Sequence, residues 1–158
     1  MHITRYTDYS LRVLIYLAAE GDRLATIQEI ADSYEISKNH LMKVVHQLNK
    51  KGYIETLRGK KGGMRLHMSP HDINIGILVR ETEQDMNIVE CLSSKNACRI
   101  APVCGLKSMF AEALDAFLHT LGPLEIPQQG SRAGLHVDVP AQQVPAEIPA
   151  YKGKNGFP

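Results

Sequence analysis

Three cysteines, Cys91, Cys98 and Cys104, fall within a short stretch of a 158-residue chain, spaced Cys91-x6-Cys98-x5-Cys104. On one continuous helix Cys98 and Cys104, six positions apart, would point ~240° away from each other. Pro102 and the run Ser93-Ser94-Lys95-Asn96 also oppose a helix. The three sulfurs can converge only if the backbone wraps around a common point, as a metal-bound loop does. Structural zinc is usually held by four ligands at C-x2-4-C spacings, shorter than these. Iron–sulfur clusters accept longer loops but also take four ligands, so with three thiols a fourth must be a non-cysteine group or an exogenous one. A centre with one weak ligand is chemically vulnerable, which suits a sensor better than a staple. The other reading is three reduced thiols, some simply buried. An odd cysteine count without an export signal argues against a disulfide framework. The seven histidines are scattered, with no H-E-x-x-H or H-x-x-E-H spacing.

Charge supplies a second set of chemical residues. The net charge is only +1. Between Glu35 and Met68, however, stand Lys38, Lys43, Lys50, Lys51, Arg58, Lys60, Lys61 and Arg65 against Glu35 and Glu55 alone. A basic window on a nearly neutral chain suggests a polyanion-binding face, although a solvated surface has the same composition.

The elements that must position these residues can be read from periodicity. Asp8 to Ala19 reads as a helix with the stripe Leu11, Leu14, Ile15 and Ala18, widened by Val13, Tyr16 and Leu17. Such a helix must be buried on several sides. Thr26 and Glu29 form a capping box for a short helix carrying Ile27, Ile30 and Ala31 and ending near Tyr34. Ser37 is placed to cap a third helix, with Leu41, Val44, Val45 and Leu48 inward, ended by Gly52. Lys38, Asn39, His40, Lys43, His46 and Gln47 lie off that stripe. Two short helices joined by a tight turn, the second with a polar outer face, predict a helix-turn-helix over about 26–50.

Tyr53 to Leu57 is rich in β-formers, and Met64, Leu66 and Met68 alternate with Arg65 and His67. Between them lies Arg58-Gly59-Lys60-Lys61-Gly62-Gly63. The glycines permit a tight tip and the cations offer phosphate contacts, so 53–68 reads as the wing of a winged helix. Ser69-Pro70 opens a further helix with Ile73, Ile77, Leu78, Val79 and Thr82 in helical positions. After the cysteine loop, Leu106, Met109, Phe110, Ala113, Leu114, Phe117, Leu118 and Leu121 form a stripe too apolar to stand alone. It should lie along a partner, most economically a two-fold mate, or else fold back on its own domain.

The reading is therefore a mainly α fold with a small β wing. It comprises a winged helix-turn-helix over 1–83, a cluster loop over 84–104, a dimerisation helix over 105–121 and a tail over 122–158. The tail holds six of the eight prolines and five of the twelve glycines, the composition of a disordered segment. No apolar run approaches the ~18 residues of a membrane helix, which excludes a membrane-spanning class and, with no signal peptide, suggests a cytoplasmic protein. A thiol redox or electron-transfer protein is the competing class, but there is no C-x-x-C pair and no substrate-pocket motif, and no enzyme is expected.

Several blocks resemble the iron–sulfur winged-helix family of transcriptional regulators, which includes the nitric-oxide-sensitive NsrR branch and IscR. Thr7-Asp8-Tyr9-x-Leu11-Arg12 resembles that family's first helix. Lys38-Asn39-His40-Leu41-x-Lys43-Val44-Val45-x-Gln47-Leu48 resembles its recognition helix. Gly52-Tyr53 followed by Arg58-Gly59-Lys60-x-Gly62-Gly63-x-Arg65-Leu66 resembles its wing, the most specific block. Cys98-x-Ile100-x-Pro102-x-Cys104-x-Leu106-Lys107 resembles the cysteine loop of the NsrR branch; IscR-like members place histidine where Lys107 stands. The six residues between Cys91 and Cys98 exceed the family's usual four or five.

The resemblance implies a homodimer with one iron–sulfur cluster per subunit, 2Fe-2S or 4Fe-4S, on Cys91, Cys98 and Cys104. It implies Asp8 of the other subunit as a fourth ligand, although Asp8 could instead cap its own helix or pair with Arg12. It implies a repressor that binds an inverted-repeat double-stranded DNA operator through Ser37, Lys38, Asn39, His40, Lys43, Arg58, Gly59, Lys60, Lys61, Gly62 and Gly63. Nitric oxide would be the signal, releasing DNA when the cluster is nitrosylated and so controlling nitrosative-stress genes. A cluster- or iron-status regulator indifferent to nitric oxide is the alternative.

Overall fold

A computed structural model describes residues 2–124. Its element order is α1 (Arg5–Glu20), α2 (Ile27–Tyr34), α3 (Lys38–Lys50), β1 (Ile54–Leu57), β2 (Gly63–Leu66), α4 (Ile75–Thr82) and α5 (Gly105–Thr120), with 3-10 turns at Pro70–Asp72 and Glu90–Leu92. The first helix begins a turn earlier than its apolar pattern because Thr4 caps it, its hydroxyl accepting the Thr7 N–H; Asp8 is not the cap.

The inward face of α1 also differs from the stripe read above. Val13, Leu14, Tyr16 and Leu17 are buried together with Thr7 and Ser10, whereas Leu11, Ile15 and Ala18 are half-buried. The two hydroxyl residues hid this face in the pattern. Both are satisfied, Ser10 donating to the Tyr6 carbonyl at 2.8 Å and Thr7 donating to the Thr82 hydroxyl at 2.9 Å, so they tolerate burial.

The core gathers Val13, Leu14 and Leu17 of α1, Ile30 of α2, Leu41, Val44, Val45 and Leu48 of α3, Ile54 and Met64 of the hairpin, and Leu78 of α4. The capping box at Thr26 and Glu29 is formed. The turn into α3 passes through Glu35 at φ 54, and α3 ends before Gly52 at φ 79, a left-handed position natural to glycine.

The hairpin is antiparallel with Ile54 opposite Leu66 and Thr56 opposite Met64. Its strands are shorter than 53–68, and Met64 also bonds Ala25 in both directions, at 2.9 and 2.8 Å, pinning the wing to the segment before α2. The helix predicted from Ser69-Pro70 is two pieces. A 3-10 turn comes first, then Ile73 in extended conformation, then α4 capped by Asn74.

The end of α5 clasps the start of α4. The N–H groups of Ile75 and Gly76 donate to the carbonyls of Gly122 and Leu121 at 2.9 and 2.8 Å, and the Leu124 N–H donates to the Ile73 carbonyl at 2.8 Å. One helix's unpaired amides thus satisfy the other's unpaired carbonyls. Leu124 is buried and joins the core; the rest of the tail read over 122–158, beyond residue 124, lies outside the described residues. Among the described residues no helix is long and apolar enough to cross a membrane.

Candidate nucleic-acid interface and cysteine loop

Burial of Leu41, Val44, Val45 and Leu48 leaves the opposite side of α3 to solvent. Lys38, Asn39, His40, Met42, Lys43, His46 and Gln47 are all exposed. Ser37 occupies the N-cap position, but its side chain makes no cap hydrogen bond, contrary to the capping role read from sequence. Its exposed hydroxyl is thereby available to another acceptor. His40 flanks α1, its ring 6.4 Å from that of Tyr9.

The wing tip carries Arg58, Lys60 and Lys61, all exposed, with Gly59 at φ 117. A side chain at Gly62 would place its Cβ 2.3 Å from the Leu57 carbonyl oxygen, and one at Gly63 would sit 2.8 Å from that of Ala25. These two glycines close the tip and seat it on the body. The ion pairs then sort the cations of the basic window. Arg65 is held across the hairpin by Glu55 at 2.5 Å, and Lys51 by Glu81 of α4 at 2.9 Å, where the Tyr53 hydroxyl also donates to Glu81. Burial, with the Glu81 charge beside it, pushes the Tyr53 phenol up to about 12. Lys38, Lys43, Lys50, Arg58, Lys60 and Lys61 have no acidic partner among the described residues. Helix face and wing together offer a basic surface built on rigid elements.

The cysteine loop is built quite differently. No residue from 84 to 104 is buried. Cys91 lies in the Glu90–Leu92 turn, Cys98 is exposed with its N–H donating to Asn96 Oδ1 at 2.9 Å, and Cys104 is the N-cap residue of α5. At that position the free N–H groups of the first turn favour an anionic ligand set. All three thiols are free. The first half of α5 continues the exposure, with Leu106, Met109 and Phe110 open to solvent. Leu118 is buried near its end. The helix thus folds back on its own domain at one end and leaves the other uncovered.

As a donor set, three free thiols on one loop suit a thiolate-held iron–sulfur group. Among the described residues, however, no three His, Cys, Asp or Glu side chains gather to hold a metal ion. The thiols must draw together to serve one. Asp8 is held within its own helix by Arg12, whose Nε lies 3.0 and 3.1 Å from the carboxylate oxygens. Arg12 in turn lies over the Tyr34 ring, 5.6 Å from its centroid.

One connection escaped the sequence reading. Glu83, the first residue after α4, accepts hydrogen bonds from the Thr4 N–H at 2.8 Å and the Thr4 hydroxyl at 3.0 Å. Burial opposes its ionisation, but the Thr4 N–H and hydroxyl that donate to it outweigh that and hold the carboxyl below its ordinary value. The start of the cysteine loop is thereby tied to the start of α1. The pattern gave no signal for this, because the partners are 79 positions apart.

HTH-type transcriptional regulator NsrR of Bacillus subtilis (strain 168) is 60% identical over 123 residues, covering 77% of this chain and 84% of that one. The protein of the same name from Bacillus licheniformis is 55% identical over 77% of this chain and 86% of its own. Among solved structures, CymR, the global cysteine regulator of B. subtilis, superposes with a TM-score of 0.63 at 24% identity, over 77% of this chain and 89% of that chain. IscR of T. potens does so with a TM-score of 0.61 at 20% identity, over 77% and 80%. These two establish the fold. The sequence relatives are named as transcriptional regulators and not as enzymes. Residues 3–128 match the Rrf2 family, described as iron-dependent transcriptional regulators, and the chain belongs to that family.

Proposed function

We propose that the chain is a cytoplasmic, nitric-oxide-responsive iron–sulfur repressor that binds an inverted-repeat operator as a homodimer and controls nitrosative-stress genes. The observation that carries this reading is a loop with three free thiols and no buried side chain, set between a basic reading head and an uncovered apolar helix. The name NsrR borne by relatives up to 60% identical supports the branch.

Cys91, Cys98 and Cys104 would hold the cluster, with Asp8 of a second subunit as the fourth ligand. When bound, an iron–sulfur cluster supplies iron sites that react with nitric oxide; the rest of the mechanism belongs to the chain. Leu106, Met109 and Phe110 would be covered by the second subunit's matching helix, with half-buried Leu11, Ile15 and Ala18 of α1 beside the contact. Asp8 would exchange its Arg12 partner for the other subunit's loop. Because Thr4 and Thr7 tie α1 to the end of α4, and Tyr9 adjoins His40, a change at Asp8 moves the recognition helix as well. A hundredfold change in DNA affinity requires only about 2.7 kcal/mol of coupling, within reach of one lost inter-subunit bond. Ser37, Lys38, Asn39, His40 and Lys43 would enter the major groove. Arg58, Lys60 and Lys61 would reach phosphates, with Gly59, Gly62 and Gly63 letting the backbone approach.

Anaerobic purification followed by a visible absorption spectrum, titrated with nitric oxide while DNA binding is followed, tests the reading. A coloured protein that shifts and releases DNA is expected. A coloured protein whose DNA affinity ignores nitric oxide would favour the iron-status alternative, and one that stays colourless after iron–sulfur reconstitution would remove the cluster from the account.

A further inference from the structure

Met42 is 44% exposed and takes no part in the hydrophobic core. It lies on α3, four positions after Lys38 and four before His46, so the three share one row of the helix surface. The side chains that pack α3 onto the body are Leu41, Val44, Val45 and Leu48, and Met42 is not among them. Its neighbours Lys38, Asn39, Lys43 and His46 are polar and exposed. A protein partner or a second copy would be poorly matched to this patch, since charge is depleted at the centre of such interfaces. The uncovered residues of α5 differ in this respect, forming a continuous apolar stripe. What fits one apolar side chain set among cations is a polyanion that carries apolar points at fixed places. Duplex DNA is one, and in its major groove the apolar point is the C5-methyl of thymine.

We propose that Met42 reads a thymine methyl group in each half-site, so that it sets sequence preference while the surrounding cations set affinity. This rests on the DNA-binding reading above. Methionine suits the task because its thioether chain is unbranched and polarizable and can follow a methyl group's position. The groups around it can donate to guanine or phosphate oxygens, but none of Lys38, Lys43 or His46 distinguishes thymine from cytosine by its methyl.

The test uses the full chain, purified anaerobically. Selection from a random duplex library gives its preferred DNA. Affinity is then measured for that duplex and for the same duplex with deoxyuridine at each half-site thymine, which removes only the methyl. The wild type is expected to weaken about fourfold per half-site on uracil, the value of one buried methyl. Met42→Ala should bind both duplexes alike, as weakly as the wild type binds uracil DNA, and Met42→Leu should restore most of the discrimination. A Met42→Ala protein that keeps the thymine-to-uracil ratio, or that loses affinity equally on both while the wild type shows no ratio, overturns the assignment and leaves DNA binding intact. If selection recovers no preferred duplex, the DNA-binding reading fails and this assignment with it.

Discussion

At the scale of single residues, Asp8 and Glu83 show how one chemical type serves two purposes. Asp8 is half-exposed and pairs with Arg12 at i, i+4, a contact worth about 0.5 kcal/mol. Replacing it with asparagine should change unfolding stability by no more than that, measured by urea denaturation, yet lower the iron retained on anaerobic purification. Unchanged iron content would remove Asp8 from the ligand set. Glu83 is a positioning residue, held by Thr4. Its folded-state carboxyl titrates below the ordinary 4.5, as does that of Glu29, held down first by the Thr26 backbone N–H. A group with a depressed folded pKa contributes stability that is complete above the unfolded value and disappears as pH falls through the folded one. The stability these two carboxylates contribute should therefore be complete above about pH 5 and fall below 4.5, and Glu83→Gln should flatten part of that fall in a series of melts. If the acid limb is the same in wild type and variant, Glu83 does not hold α1 to α4.

At the scale of elements, the α4–α5 junction is the tightest test. A Cβ on Gly76 would lie 2.2 Å from the Leu118 carbonyl oxygen, which is backbone and cannot swing aside. Gly76→Ala should cost at least about 2 kcal/mol, read as a drop in melting temperature, because the helices must part and their shared hydrogen bonds with them. A melting temperature within a degree of wild type would mean the junction yields more easily than its geometry indicates. This junction also marks the limit of what a sequence displays. The helix-turn-helix and wing were legible because their signals are local: the Thr26–Glu29 box, the Leu41–Leu48 stripe and the glycine-flanked cations. The polar burial of Thr7, the Thr4–Glu83 tie and the return of Leu124 to Ile73 depend on partners far along the chain, and no period announces them. The three cysteines lie free between α4 and the start of α5, and spacing alone could not place their sulfurs.

At the scale of the whole molecule, charge pairing decides how the basic window is used. Arg65 and Lys51 are spent on the chain's own carboxylates, and the unpaired cations lie on α3 and the wing tip. If a bound dimer neutralises about six phosphates, its affinity should fall with salt at a log–log slope of roughly −5, and removing Lys60 and Lys61 together should make that slope shallower. Titrations at several salt concentrations would settle it, and a slope near zero would contradict a phosphate footprint altogether. The clasp at the end of α5 has a consequence in another currency, the order of synthesis. Helix α1, the helix-turn-helix and the wing find most of their partners among themselves, but the first amides of α4 wait for Leu121 and Gly122, and Ile73 waits for Leu124. A ribosome must therefore travel almost to the end of the described chain before the first turn of α4 can close. Nascent chains arrested after Ala116 should be cut by protease between 73 and 82, and those released after Gln128 should resist; equal sensitivity would show that α4 closes without the residues that follow α5. A translation error or early stop in that stretch would thus leave α4 open although the helix-turn-helix and wing had been synthesised long before.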